Sequence, residues 1–218
     1  MEPVKPLPIL NAAERRVLGS LMEKSKTTPD YYPMTLNGLT AACNQKSSRN
    51  PVVNYDEETV IQTLNTLKMK GLVATATGGG SRVIKYKHNL ALIYPLLPDE
   101  VAVICLLLLR GPMTPGEINS NSGRLYEFDT LEEVQQVLEK LSAGDPVFIM
   151  QLPRRTGQKE MRYMHLLGGI PDVNDYDEPE PVQHSGGSTH LEERLAKVEQ
   201  DLAELREAFD KLMKELNG

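Results

Sequence analysis

The feature of this sequence that most constrains its fold is an internal repeat. Four short patterns from the first half of the chain recur in the second half, in the same order and at offsets of 86, 79, 74 and 77 residues. They pair Leu18, Leu21 and Met22 with Ile104, Leu107 and Leu108; Met34-Thr35 with Met113-Thr114; Val60, Leu64 and Leu67 with Val134, Leu138 and Leu141; and Tyr86-x-His88 with Tyr163-x-His165. Four matches in order indicate that one structural unit is built twice.

Each copy has the pattern of three helices followed by a two-stranded hairpin. In the first copy, Asn11 begins one helix, Thr35 caps a second and Asp56 caps a third. A glycine-rich turn then joins two short strand patterns. The predicted strands are 72–76 and 82–87 in the first copy and 147–152 and 161–166 in the second. This is the element order of a winged-helix domain.

The sequence therefore predicts an α+β, mainly α, fold with two tandem winged-helix domains. Residues 9–92 and 93–167 form these domains, and residues 1–8 are an N-terminal tail. The longest apolar run, Val101–Leu109, is too short for the roughly 20 residues that cross a bilayer, so it predicts a buried helix. No secretory signal or disulfide pattern is evident, which predicts a cytoplasmic protein without a membrane segment.

The C-terminal region has a different composition. Residues 168–189 are acidic and rich in proline and glycine, as is typical of a linker. Residues 190–217 follow a coiled-coil spacing. Its core positions are Leu191, Leu195, Val198, Leu202, Leu205, Phe209 and Leu212. We expect this helix to join copies of the chain, as a dimer or with another number of strands; the alternative is that it docks on its own domain.

Charge is distributed unevenly along the chain. Residues 1–97 contain 12 Lys and Arg against 7 Asp and Glu, a net charge of +5. Residues 98–166 have a net charge of −3 and residues 167–218 a net charge of −8. Attraction to a polyanion depends on local cation density, so any nucleic-acid interface is predicted in the first domain.

The loop after the second helix is the strongest candidate for contacts with nucleic acid. It offers neutral and charged hydrogen-bond donors just before a helix start, as helix-turn-helix proteins do. Further cations follow on the third helix and on the hairpin. The candidate residues are Asn44, Gln45, Lys46, Ser47, Arg49, Lys68, Arg82 and Lys85. The alternatives are that the loop only closes a turn and that the hairpin charges only keep an edge strand soluble.

No enzymatic, metal or cofactor motif is present in the sequence. His88 and His165 occupy equivalent strand ends, which favours a shared structural role over a metal site. The glycines at 78–80 lack the Lys-[Ser/Thr] of a phosphate-binding loop. We expect a protein that is not an enzyme and that has no cofactor.

Two long motifs carry a family resemblance. They are Glu23-Lys-Ser-Lys-Thr-Thr-Pro-Asp-Tyr-Tyr-Pro-Met-Thr-Leu-Asn37 and Cys43-Asn-Gln-Lys-Ser-Ser-Arg-Asn-Pro-Val52, with Thr114-Pro-Gly-Glu-Ile118 as a third. With these motifs the chain resembles the bacterial YceH-like family over about residues 9–170. The resemblance implies a tandem winged-helix fold with no established activity. Ser48 and Asn50 stand where Asn and Asp are expected in close relatives.

Two functions remain open from the sequence. The first is a DNA-binding regulator, in which an oligomer presents its basic first domains to duplex DNA. The second is a protein-interaction scaffold that does not use DNA, which the acidic start of the third helix and the net charge of −6 favour. The prevalence of DNA binding among winged-helix domains inclines us to the first hypothesis, by analogy of fold.

Overall fold

The structure, a computed structural model, describes residues 5–76, 83–154 and 160–170. The fold is α+β and mainly helical, and the described residues belong to one compact unit. The helices are α1 (Ala12–Thr27), α2 (Leu36–Cys43), α3 (Glu57–Met69), α4 (Leu90–Ile93), α5 (Pro98–Arg110), α6 (Pro115–Ser122) and α7 (Leu131–Ala143). The strands are β1 (Met34–Thr35), β2 (Val73–Ala76), β3 (Lys85–His88), β4 (Ile149–Gln151) and β5 (Tyr163–His165).

The repeated patterns lie on repeated elements. We call α1 to β3 the first repeat and α5 to β5 the second repeat. Helices α2 and α6 begin and end 79 residues apart, and α3 and α7 begin and end 74 residues apart, as the two sequence offsets require. A threonine caps both short helices: Thr35 accepts from the Gly38 N–H, and Thr114 accepts from the Glu117 N–H. The local start signals therefore act in both copies.

The sheets of the two repeats also correspond. In the first repeat β3 lies between β1 and β2, antiparallel to both, and Met34 is opposite Tyr86. In the second repeat β4 pairs with β5, and Met113 forms an isolated bridge with Tyr163. A short segment before α2 or α6 therefore adds to the edge of each hairpin.

The two repeats pack together through their first helices, α1 and α5. Residues 17–22 of α1 and 100–109 of α5 are buried, so each helix contacts its own repeat on one side and the other repeat on the opposite side. A helix that is apolar all round needs burial on all sides, and the structure provides it for the Val101–Leu109 run. The prediction of a buried helix there is confirmed.

Gly19 sets how closely the two helices approach. A Cβ atom at this position would lie 2.9 Å from Leu109 Cδ2 and 3.2 Å from Leu108 Cβ. Such distances are shorter than carbon atoms tolerate without displacement of a neighbour. Glycine therefore permits the tight packing of α1 on α5.

Some features of the helices are not among the expectations drawn from the sequence. Helix α1 continues to Thr27, and the short helix α4 joins the repeats. On α3, the apolar Ile61 is 39% exposed, whereas the polar Thr63 is buried and donates to the Thr59 carbonyl. A threonine hydroxyl can donate its hydrogen bond to a carbonyl of its own helix, so a threonine can be buried although its side chain is polar.

The histidine at the end of β5 is a core residue, and the one at the end of β3 is half-buried. His165 is 3% exposed, and the Nδ1 atoms of His88 and His165 are buried without hydrogen-bond partners among the described residues. Burial, and next the charges of Lys26 and Arg15 respectively, lower both pKa values to about 4. Both rings are therefore neutral near pH 7.

Replacing Gly19 by valine tests the packing of α1 on α5. We expect Gly19→Val to lower the free energy of unfolding by at least about 2 kcal/mol, because the added carbons collide with Leu108 and Leu109. Gly123→Val is the matched control, since nothing lies within 4 Å of a Cβ there. The control should change stability by about 0.5 kcal/mol or less in urea unfolding. Equal effects at the two positions would contradict the close approach.

The buried histidines predict a loss of stability in mild acid. The unfolded chain binds protons with a histidine pKa near 6.5, whereas the folded chain resists protonation until about pH 4. The contribution of the two neutral histidines to the free energy of unfolding is therefore fully present well above pH 6.5. It is lost progressively as the pH falls from 6.5 toward 4. We expect a loss of about 2 kcal/mol per histidine between pH 7.5 and 5, measured by urea unfolding. A flat profile over this range would contradict the burial of the two rings.

Candidate nucleic-acid interface

The loop that links α2 to α3, residues 44–56, is held by internal contacts of its own side chains. Asn44 bridges the loop: its Nδ2 donates to the Tyr55 carbonyl at 2.7 Å, and its Oδ1 accepts from the Tyr55 N–H at 2.8 Å. The side-chain amide thus pairs with the backbone as a strand neighbour would. Both hydrogen bonds of the Asn44 amide hold the loop closed. The amide could contact a base only if these bonds were broken.

Arg49 lies inside the protein, with its residue 6% exposed. Its Nη1 and Nη2 atoms donate to the two carboxylate oxygens of Glu23 at 3.0 and 2.7 Å. The same guanidinium also donates to the carbonyls of Ala42 and Ser48 and to Gln45 Oε1. All sides of the fork are used within the protein. This placement argues against the phosphate contact predicted for Arg49, whose role is to fasten the loop.

A second buried arginine supports the same segment from α1. Arg16 donates through Nη1 to the Cys43 carbonyl at 3.0 Å and through Nη2 to the Pro51 carbonyl. Burial, and next the charge of Arg49, lower the pKa of Arg16 below its usual value. Each end of the 43–51 segment is therefore held by a charged donor.

The carboxylate that offsets these charges is Glu23. Burial raises its pKa, but the hydrogen bond and charge of Arg49, followed by those of Lys24, lower it below the usual value. Lys24 Nζ is 3.1 Å from a Glu23 carboxylate oxygen and 3.3 Å from Gln45 Oε1. Gln45 thus joins the surface lysine to the buried Arg49, and its side-chain oxygen is occupied.

The loop also contacts the second repeat. The Asn50 N–H donates to the Leu109 carbonyl at 2.8 Å, near the C-terminal end of α5. Arg110 Nη2 donates to Ser48 Oγ at 2.8 Å. This loop, residues 44–56, is longer than its counterpart in the second repeat, residues 123–130, and it bridges the two repeats.

The remaining candidates that the structure describes lie on the surface of the first repeat. Lys46, Ser47 and Lys68 are exposed, and Lys85 is half-buried on β3. Lys46 and Lys68 form no ion pair with any residue in the described ranges. Arg82 lies outside the described residues. These lysines are free to meet a phosphate, in contrast to Asn44 and Arg49.

Lys87 and Lys26 are further cations of this surface that lie beyond the eight candidate residues. Lys87 follows Lys85 by two residues on β3, so the two side chains lie on the same face of the sheet, opposite Tyr86 and His88. Their partners on β2 are Ala74 and Ala76, whose small side chains leave both lysines accessible. Lys26 is exposed near the end of α1. The alternation of side chains along a strand already groups Lys87 with Lys85 in the sequence.

The predicted oligomerisation residues and residues 171–189 of the predicted linker lie outside the described residues, as do Arg155 and Lys159. In the part of the chain that is described, no three His, Cys, Asp or Glu side chains are grouped as a metal site would need. Nor does any helix there combine the length and hydropathy required to cross a membrane.

Replacing Arg49 separates a structural from a binding role. We expect Arg49→Ala to lower the free energy of unfolding by about 3–5 kcal/mol, because Glu23 would be left without its buried partner. Lys46→Ala, the control in the same loop, should change stability by about 0.5 kcal/mol or less. Urea unfolding measures both. A stable Arg49→Ala protein with weakened binding to duplex DNA would return Arg49 to the interface.

Comparison with known proteins identifies the family. Residues 10–158 match a family described as a protein of unknown function, DUF480. A UPF0502 protein of Opitutus terrae is 47% identical over 206 residues, covering 93% of this chain and 85% of that protein. One from Shewanella loihica is 46% identical over 203 residues, covering 90% and 94%. The YceH-like resemblance is confirmed, and the chain belongs to the DUF480, or UPF0502, family.

Proposed function

We propose that this chain is a non-enzymatic protein of two tandem winged-helix units and that its first unit binds the backbone of duplex DNA. The support for the winged-helix assignment is the order of three helices and a hairpin in both repeats, with an added edge segment before the second helix of each. DNA is the commonest partner of this architecture, but that argument is one of analogy. The charges of the first repeat supply the physical argument.

The observation that carries the proposal is that several surface lysines of the first repeat make no ion pair with any described residue. Arg16 and Arg49 are buried, and Lys24 and Lys70 pair with Glu23 and Glu14. In these contacts Glu14 and Glu23 are paired along with the cations, so neither carboxylate offsets the charge of the other surface lysines. The positive side chains left accessible in the described part of this repeat include Lys26, Lys46, Lys68, Lys85 and Lys87.

The acids of the first repeat restrict how a duplex can approach. Asp56, Glu57 and Glu58 are exposed at the start of α3, where they stabilise the helix dipole and repel phosphate. Lys68 lies in the last turn of the same helix. We therefore place the duplex over the C-terminal half of α3 and the hairpin, and away from the first turn of α3.

A protein-interaction scaffold is the second candidate. Its specific support is the exposure of apolar residues between the third helix and the hairpin of the first repeat. Ile61 is 39% exposed, Val83 55% and Ile84 52%. Duplex DNA offers few apolar contacts for three such side chains, whereas a protein partner would bury them.

We further propose that the chain acts as an oligomer in the cytoplasm, with its C-terminal leucines joining copies of the chain. The support is the spacing of residues such as Leu195, Leu202 and Leu205 in the sequence. Two copies would present two basic surfaces to one duplex. That arrangement would raise the apparent affinity without any new contact.

Fluorescence anisotropy with a labelled duplex over a range of salt concentrations tests DNA binding. We expect Lys46→Gln/Lys68→Gln to weaken binding uniformly across sequences and to reduce the salt slope by about two, because two phosphate contacts are lost. Arg124→Gln/Arg154→Gln removes two exposed cations from the second repeat and is the matched control. It should leave the slope unchanged.

Two results would contradict the proposal. One is the absence of salt-sensitive binding by the unmodified chain at low ionic strength. The other is an equal loss of affinity in the two double variants, which would show attraction without a defined surface. Either result would favour the scaffold.

A further inference from the structure

The second repeat has a groove beside α7 and its hairpin. These elements correspond to α3 and the hairpin of the first repeat, over which we place the duplex. It encloses about 350 Å³ between the start of α6, the exposed side of α7 and the β4–β5 hairpin. Leu131, Met161 and Tyr163 contribute apolar surface to it, and Glu139, Glu160 and Arg154 contribute charge. Leu131 is 40% exposed although it is a large apolar side chain at the first position of a helix.

The offset of 74 residues between α3 and α7 allows a comparison position by position. Glu139 occupies the place of Asn65, and Ser142 the place of Lys68. The second copy therefore replaces a neutral side chain by an acid and loses the cation. Glu139 and Glu160 are both exposed, and within the described ranges neither makes an ion pair.

These charges exclude a nucleic acid as the natural occupant of the α7 side of the groove. Phosphate would meet Glu139 with no neighbouring cation on α7 except Lys140, which is paired with Glu100 at 2.6 Å. Apolar surface flanked by carboxylates suits a peptide that combines apolar and positive side chains. Arg154 lies on the hairpin side, so the positive side chains are expected over α7.

We propose that this groove is a docking site for a basic, amphipathic segment of a protein partner. An apolar side chain of the segment packs against Leu131, Met161 and Tyr163, and its lysines or arginines face Glu139 and Glu160. The site is separate from the lysines of the first repeat. The chain would then join a protein to DNA, with one repeat for each.

Three short fluorescein-labelled peptides test the site on the full chain by anisotropy at low ionic strength. The first has lysines and leucines at helical spacing, the second replaces the lysines by glutamates, and the third replaces the leucines by serines. We expect saturable binding of the first peptide only. No binding of the first peptide, or equal binding of the second, would overturn the proposal.

Variants then locate the site. Glu139→Lys and Leu131→Gln should each weaken binding of the lysine-leucine peptide about tenfold. Glu127→Lys, an exposed acid of the same repeat outside the groove, is the matched control and should change affinity less than about twofold. Thermal melting checks that each variant folds. Equal effects of Glu139→Lys and Glu127→Lys would overturn the groove as the site.

The duplex provides an independent arm. Lys46→Gln/Lys68→Gln should leave the affinity for the peptide unchanged. Glu139→Lys should not weaken duplex binding and should raise the affinity for the duplex only slightly. Failure of the duplex arm alone removes DNA binding and not the groove. A groove variant that abolishes duplex binding while peptide binding persists would overturn the assignment of the groove to a protein.

Discussion

The close packing of α1 on α5 is the contact on which the rest of the structure depends. It occurs between the first helices of two copies of one unit, so each helix is buried by its own copy and by the other. Gly19 permits the approach, and the apolar residues of α5 fill both sides. The two repeats therefore share one hydrophobic core, and the exposed faces of α3 and α7 are held in a defined relation to each other.

The 44–56 loop reinforces this relation with charged groups. Arg16 and Arg49 fasten its backbone to α1 and α2, Glu23 offsets the charge, and Asn50 and Ser48 reach the end of α5. Donors of these types also make contacts with nucleic acid, which is why the loop resembled an interface. Buried charges of this kind add little net stability as pairs, but the loss of one partner is costly. The loop therefore acts as a connection between repeats, and among its candidate residues only the exposed Lys46 and Ser47 stay in the candidate DNA surface.

Much of the fold could be predicted from the sequence because it rests on local signals that occur twice. Caps such as Thr35 and Thr114 and the apolar spacing of α3 and α7 specify the elements and their order. The burial of Arg49 could not be predicted, because an arginine is internal only when distant acceptors such as Glu23 converge on it. The groove beside α7 was missed for the same reason: Leu131 and Met161 are far apart in sequence and become neighbours only in the fold.

Native-state hydrogen exchange in increasing urea tests the shared core most directly. If α1 and α5 unite the repeats, α3 and α7 cannot open separately, and their most protected amides should converge on one free energy of opening. The account predicts this convergence for the unmodified chain. Exchange of the α7 amides at a clearly lower free energy, while the α3 amides stay protected, would show two independent domains and contradict it.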